Sequence, residues 1–480
     1  MVESEYIPLA LNPQCTQILI FNRITNELIV LSIENKRLIF KIKIDKTYKE
    51  FEKPVVTFLN ETSLLPLSSD LSSLELYNMI KEKLILKIKM VNDATIKSIM
   101  SHVDLERLLL VMDTGLIVIY DLLDGLKILD TVDIYKSFDD YQLFSSNKST
   151  SKTIQMSKGG QTISSELINK RKFSESIDRL PESFKNRLIS YYKNNSNGNI
   201  CIVFQSEKLV YTSLIKEEFD VVEDYNRNTH DNSSLSVDVL HTGDVIDTTK
   251  VVSGSRNMLE PVEKPKLILR NVVIYNTTTL KFEKILKNLH NSGIETMCLS
   301  EDGKILVTCS TKGTIIRCFK IDELDSNLVA KPFAEFRRGS TFAKIEQLVI
   351  DSNNEFIAAL VSNSEMIHIF NLKDYEKNIA DMKYNNSNRF NKYFNKFTKR
   401  DNIRHCCHIK RDYNDFNGFK QCILQFERIN KKFNAKDDEE ISTHLPSLFI
   451  LYEDSLKSYD ININHLECSL SILSPKIDSF

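Results

Sequence analysis

Apolar and polar positions along this chain alternate in short bursts. Runs rich in Ile, Leu and Val, such as LLLVM and LIVIY, are each cut by polar turns. That is the punctuation of strands rather than the spacing of helices. Many runs end on an aromatic residue followed by a polar one: LELYN at Tyr77, VIYD at Tyr120, VIYN at Tyr275, RCFK at Phe319, HIFN at Phe370 and KSYD at Tyr459. ELIVLSI around Leu31 reads as a seventh copy without its aromatic. The steps are 46 residues from Leu31 to Tyr77, 43 from Tyr77 to Tyr120, 44 from Tyr275 to Phe319 and 51 from Phe319 to Phe370. A four-stranded propeller blade takes roughly 40–45 residues. The steps of 155 residues from Tyr120 to Tyr275 and 89 from Phe370 to Tyr459 are too long for one blade, so each carries an insertion.

The best internal match sets EDGKILVTCSTKGTIIRCF against NNEFIAALVSNSEMIHIF, with Ser310 opposite Ser362 and Thr314 opposite Met366. Both read strand, turn, strand. The pattern predicts an all-β chain folded as a single seven-bladed β-propeller over residues 1–480, WD40-like in architecture, with long disordered loop insertions. Closing the ring leaves only short, protected edges. Two packed β-sandwich domains are the alternative, although sandwich strands need not repeat at one period. The Trp-Asp signature of many such repeats is absent, because the chain has no Trp. Residues 137–198 and 223–262 are rich in Ser, Asn and charged residues and are expected to be disordered insertions in blade 4. A third insertion, 374–411, is expected in blade 6.

Charge narrows the chemistry. Lys plus Arg is 63 and Asp plus Glu is 65. This balance argues against a general nucleic-acid binder, and any anion site must be a local cluster. Nine scattered Cys, and an opening MVESEYIPLALNPQ without signal-peptide character, point to reduced thiols in the cytosol. The longest apolar runs are too short to span a bilayer, so membrane contact would be peripheral. No P-loop, G-x-S-x-G, HExxH or paired carboxylates at telling spacing occur, so no enzyme activity and no cofactor are expected.

One cluster stands out, Phe336-Arg337-Arg338-Gly339. In extended chain, consecutive side chains point to opposite sides, so Arg337 and Arg338 would serve two pockets. Before them lie Ser310, Thr314 and Arg317, with His290 one strand earlier; after them lie Ser362 and His368. Guanidinium, hydroxyl and imidazole together suit phosphate. Gly339 would let the chain bend and bring N–H groups close, and charging of His290 and His368 would tighten binding below neutral pH. Interblade ion pairs are the plainer use of the same two arginines.

FRRG in this setting, preceded by DGKILVTCSTKGTIIRCF and followed by a strand ending IHIF, resembles the PROPPIN family. TSLLPLSSDLSSLELYN and ERLLLVMDTGLIVIYDLLDGLKILDT are similar to that family's second and third blades. The resemblance implies a seven-bladed propeller that binds phosphatidylinositol 3-phosphate or 3,5-bisphosphate and acts in autophagy. It implies one headgroup pocket at His290, Ser310, Thr314, Arg317 and Arg337, and another at Arg338, Ser362 and His368. Departures from the family pattern are Asn363 after Ser362, Met366 in place of a Thr, Asn12-Pro13-Gln14 in the first blade, and Asn464-His465 where Gly-Gly is usual.

Residues 383–411 carry nine Lys and Arg against Asp401, with Phe390, Tyr393, Phe394 and Phe397 among them. Basic residues with aromatics suit an anionic membrane surface, and the family places a membrane-inserting loop in this blade. A solvated basic loop is the alternative. His405-Cys406-Cys407-His408 invites a zinc reading, but adjacent residues of a strand face opposite ways, so a strand of blade 6 is preferred and no metal is expected.

Within the family one paralogue works with a lipid-transfer protein through a Pro-Arg pair in the second blade. The loop here reads SSDLSSLEL and lacks it. That favours the paralogue that promotes lipidation of the ubiquitin-like autophagy protein, and the cytoplasm-to-vacuole pathway, through a coiled-coil subunit of the conjugation machinery. Asp93, Asp104 and Glu106 are the candidate partner-binding residues. The expected protein is a monomer in the cytoplasm, peripheral on preautophagosomal, endosomal and vacuolar membranes. A lipid-independent interaction scaffold is the other class.

Overall fold

The computed structural model describes residues 6–134, 196–213, 267–373 and 403–471, apart from 36, 49–51, 60–61, 91–93, 103–105, 198–199, 325–329, 405–406, 415–417, 429–444, 454 and 463–466. The described chain is almost all β. Seven antiparallel sheets follow one another in sequence, each with its strands in chain order, and together they make a seven-bladed propeller.

Blade 1 is Tyr6–Leu11, Gln17–Asn22, Glu27–Ser32 and Leu38–Lys43. Blade 2 runs from Val55–Val56 to Lys83–Lys89, and blade 3 from Ile96–His102 to Lys127–Asp133. Blade 4 is Ile202–Gln205, Lys208–Ser213, Asn271–Asn276 and Lys281–Leu286. Blade 5 is Ile294–Leu299, Ile305–Ser310, Ile315–Lys320 and Ala334–Arg337. Blade 6 is Ile345–Ile350, Phe356–Val361, Met366–Asn371 and Cys407–Lys410, and blade 7 runs from Cys422–Phe426 to Glu467–Ser471. Tyr77, Tyr120, Tyr275, Phe319, Phe370, Tyr459 and Leu31 all fall in the third strand of their blades. The recurring aromatic thus marks one structural position.

These strands form because their alternate residues must be covered on both faces. Leu19, Phe21 and Val30 of blade 1 pack with Leu65 and Leu67 of blade 2. Val210 and Ile274 of blade 4 pack with Leu306 and Phe319 of blade 5, whose other face puts Val307, Ile316 and Phe336 against Ile357 and Phe370 of blade 6. Between blades 3 and 4, Tyr275 donates its hydroxyl hydrogen bond to Asp130 and His102 meets Phe204 edge-on at 5.9 Å. Where the ring closes, Leu11, Ile18 and Ile20 of blade 1 meet Phe449 and Leu451 of blade 7, the Arg428 N–H donates to Pro13 O at 2.8 Å, and among the described residues no sheet combines strands from both.

The insertions lie where the long steps put them in sequence. Residues 135–195 separate the last strand of blade 3 from blade 4, and 214–266 separate the second and third strands of blade 4. A second compact unit comprises Met156–Asn197 and Leu214–Ile268; its described part is a parallel pairing of Ser196–Asn197 with Leu267–Ile268. The expected disorder of 137–198 and 223–262 lies outside the described residues but for Ser196–Asn197. Of the expected basic loop 374–411, residues 374–402 lie outside the described residues, and the rest holds two strands. Ile403–Arg404 adds a parallel strand beside Phe336 and Arg337 of blade 5, and Cys407–Lys410 is the outer strand of blade 6, with Cys407 and His408 opposite Ile369 and His368.

Phe336 is fully buried, its ring centred 5.3 Å from that of Phe370. Phe336→Ala should cost about 3–5 kcal/mol, read as a fall in the urea midpoint.

Candidate functional site

Blades 5 and 6 repeat residue for residue, but at a spacing of 51 rather than the 52 that sets Ser310 opposite Ser362. Ile294 pairs with Ser310 as Ile345 pairs with Val361. The Thr311 N–H donates to Gly293 O at 2.8 Å, as the Ser362 N–H does to Lys344 O at 2.8 Å. Ser362 therefore matches Thr311, and His368 matches Arg317. The expected equivalences are corrected by one residue.

The two faces of blade 5 divide the functional side chains. Leu306 and Phe319 face blade 4, so Thr308, Ser310 and Arg317 do too, by alternation along their strands. Opposite Arg317 stands Glu335, and opposite Ile315 stands Arg337, on the same face. Ala334 and Phe336 turn the other way, toward blade 6, and Arg338 follows them.

On the blade 4 side, His290 lies in the connection into blade 5 and is 4% exposed. Its Nε2 is 2.8 Å from Thr308 Oγ1. Burial, and then the Arg317 charge, push its pKa down to about 3, so the imidazole is neutral throughout the physiological range. The expected charging of His290 below neutral pH is thereby overturned. Arg317 donates from Nε to Glu335 Oε1 at 2.8 Å and from Nη1 to Leu289 O at 2.5 Å. Ser310 is buried and its carbonyl accepts from the Gly313 N–H at 2.8 Å; Thr314 is half-buried in the turn. Arg337 is exposed at the strand end, and among the described residues it has no ion pair or hydrogen-bond partner for its guanidinium.

Arg338 is different. Its N–H donates to Thr314 O at 3.0 Å, its Nε donates to Gly313 O at 2.5 Å, and its Nη2 donates to Thr341 O. Desolvation holds its pKa below the usual arginine value. It fastens the 311–314 turn to the loop leaving for blade 6. His368, 9% exposed, stands in mid-strand on the face toward blade 5, with its ring stacked near Phe370 at 6.3 Å. Ser362 is half-buried in a turn whose next residue, Asn363, has a left-handed φ of 50°.

The glycine that this region needs for its own fold is Gly313, not Gly339. Gly313 has φ +63°, and a Cβ there would sit 1.6 Å from Ala343 O. At Gly339 a Cβ would meet nothing within 4 Å, and the backbone is not left-handed.

Sequence reasoning missed Thr308, Glu335 and Thr311. Thr308 and Glu335 stand two residues before Ser310 and Arg337, so alternation applied to those strands would have found both. Arg411 was counted with the basic loop, but it is buried, donating to Val361 O at 3.0 Å and Lys420 O at 2.9 Å. Glu106 occupies a turn of blade 3 at φ 54°, its carbonyl accepting from the Leu122 N–H at 2.8 Å. Asp93, Asp104, Phe390, Tyr393, Phe394 and Phe397 lie outside the described residues, as do Asn464 and His465. Among the described residues no helix is long and apolar enough to cross a membrane.

Residues 131–404 match the family model described as PROPPIN. The chain is 28% identical over 195 residues to autophagy-related protein 21 of Candida glabrata, covering 38% of this chain and 43% of that one. It is 32% identical over 131 residues to autophagy-related protein 18 of Debaryomyces hansenii, covering 27% of this chain and 22% of that one. The matched stretches thus span less than half the length of these curated relatives. The fold resembles that in the solved complex of KlAtg21 with the coiled-coil of AgAtg16, with TM-score 0.55 and 16% identity over 97% of this chain and 98% of that one. Kluyveromyces lactis Hsv2 with its complete loop 6CD superposes with TM-score 0.52 at 11% identity, over 97% of this chain and 98% of that one.

Two outcomes follow. A buried base with a lowered pKa favours the unfolded chain as soon as the unfolded imidazole, near its ordinary 6.5, takes up a proton. Urea stability should fall as pH drops from 7 toward 5, and His290→Gln should flatten that slope. Gly313→Ala should melt well below wild type, whereas Gly339→Ala should melt with it.

Proposed function

The chain belongs to the PROPPIN family, and on that footing we propose that it binds phosphatidylinositol 3-phosphate, the 3,5-bisphosphate or both through the two sides of Arg337-Arg338. The observation that carries this reading is Arg337: an exposed guanidinium without a partner among the described residues, two residues before a glycine at which a Cβ would meet nothing within 4 Å. A cation with no internal partner among the described residues is available to meet phosphate oxygens in bidentate hydrogen bonds.

Beside it, neutral His290 acts as an oriented hydrogen-bonding group rather than a charge. Thr308 holds its Nε2. The Glu335 carboxylate fixes the Arg317 fork. Across the strand, Arg338 contributes whatever donors its two carbonyl bonds leave, with Ser362 and His368 as the proposed contributors from the adjoining blade. Two sites on one rigid ring would act at high effective concentration, so two weak headgroup contacts make one useful membrane affinity. The segment holding Phe390, Tyr393, Phe394 and Phe397 would add membrane insertion.

The protein would be recruited in this way to autophagic, endosomal or vacuolar membranes. There it would bring in the conjugation machinery that lipidates the ubiquitin-like autophagy protein. Similarity to a propeller solved with a coiled-coil partner supports a coiled-coil subunit as that link, with Asp93, Asp104 and Glu106 as its proposed contacts. A lipid-independent scaffold draws support from one observation, the internal ion pair of Arg317 with Glu335.

The test separates the arginines. Arg337→Thr should keep the wild-type melting temperature and lose most flotation with vesicles containing phosphatidylinositol 3-phosphate. Arg338→Thr should lose binding and also about 1.5–3 kcal/mol of stability, because it removes charge-assisted bonds to two carbonyls. Wild-type flotation that ignores the phosphoinositide would sink the reading.

A further inference from the structure

Blades 5 and 6 end in the same device. After the outer strand of blade 5, one arginine binds both the preceding turn and the departing loop, through Gly313 O and Thr341 O. After the outer strand of blade 6, Arg411 plays a similar part, its guanidinium reaching the end of the second strand rather than the turn itself. Its N–H donates to Glu365 O at 2.7 Å, where the Arg338 N–H meets the matching Thr314 O, and its guanidinium joins Val361 O to Lys420 O. Each loop is therefore fixed at its root by a charged fork with several donors.

Each loop also carries an aromatic ring out into solvent. Phe342 is 76% exposed and Tyr413 is 61% exposed, and they are the only aromatics among the large, exposed apolar residues described. The Lys312 ammonium stands 6.0 Å from the centre of the Phe342 ring. Tyr413 meets Phe419 edge-on at 5.5 Å, while the Arg411 guanidinium lies 5.3 Å over that same Phe419. The outer strands of consecutive blades run the same way, so both rings leave from the same end of the propeller, one on each side of blade 6. Single exposed apolar residues are ordinary. Two aromatics on clamped loops, with Lys312 against Phe342 and exposed Arg337 and Lys410 at the ends of the strands those loops leave, form a surface with a design.

We propose that Phe342 and Tyr413 are a two-pronged contact with the interfacial zone of an anionic bilayer, with Lys312 and Lys410 meeting lipid headgroups. The inference rests on the phosphoinositide reading, and is separate from the segment holding Phe390 to Phe397. Rigid aromatic rings favour the headgroup boundary, where one part is apolar and the other wet. Nearby lysines add attraction to anionic lipid. The rings project from separate loops rather than line a groove, which fits a broad soft surface better than a peptide.

The chain has no Trp, so Phe342→Trp and Tyr413→Trp each install a single fluorescent reporter. With phosphatidylcholine–phosphatidylserine vesicles containing phosphatidylinositol 3-phosphate, both emissions should shift to the blue and be quenched by brominated acyl chains. The double variant Phe342→Ser with Tyr413→Ser should melt like wild type yet bind these vesicles about tenfold more weakly. Unshifted emission from variants that float normally would overturn the inference and leave the phosphoinositide reading standing, as would undiminished binding by the double serine variant. Failure of the wild-type protein itself to float would remove both.

Discussion

The candidate site in this propeller depends on the alternation of side chains along one short strand, Ala334–Arg337, and the residue that follows it. Successive residues of an extended chain leave on opposite sides. Glu335 and Arg337 therefore border the cleft toward blade 4, while Phe336 and Arg338 border the one toward blade 6. The position can be occupied by two arginines because the strand is the last of the four antiparallel strands of its blade, with only the two-residue Ile403–Arg404 beyond it. Its end lies at the rim, where guanidinium groups stay near water instead of bearing the full cost of burial.

The two arginines solve different problems. Arg338 is half-buried and tied to backbone carbonyls, so it determines where the following loop lies. Arg337 makes no comparable contact among the described residues. This division explains why the region can be both rigid and open. One cation is used as a strut, and a second is held out by the strand end that the strut secures. Arg317 is intermediate, balanced by Glu335 yet bordering the same cleft as His290. The imidazole, kept neutral by burial beside a guanidinium, changes the character of that cleft: its positive charge comes from the arginines alone.

The architecture was legible because it is imposed by packing. A third strand must cover both neighbours, so its aromatic recurs at Tyr120, Tyr275, Phe319 and Phe370. The register between blades 5 and 6 was less legible. Matching serines by eye placed Ser310 on Ser362, one residue out. The turn residues would have corrected it, since Gly303 at φ +69° and Asn354 at φ +59° occupy the same left-handed place, and Gly and Asn are the residues that tolerate it. Thr308 escaped notice because its partner, His290, belongs to a connection with no repeat of its own. Arg411 was misread because charge predicts solvent, and only a pair of buried carbonyls reveals otherwise. The role of Gly313 was likewise invisible: the crowding comes from Ala343, thirty residues along the chain.

The seam between blades 7 and 1 has a consequence of another kind. Among the described residues, the four antiparallel strands of every blade come from one continuous stretch of sequence, and this junction is held by packed side chains and a backbone bond from the Arg428 N–H to Pro13 O rather than by a shared strand. The ring has no privileged latch. Covalent order and ring order can be decoupled, so that a permuted chain opened between any two neighbouring blades would still assemble seven intact units around the same axis.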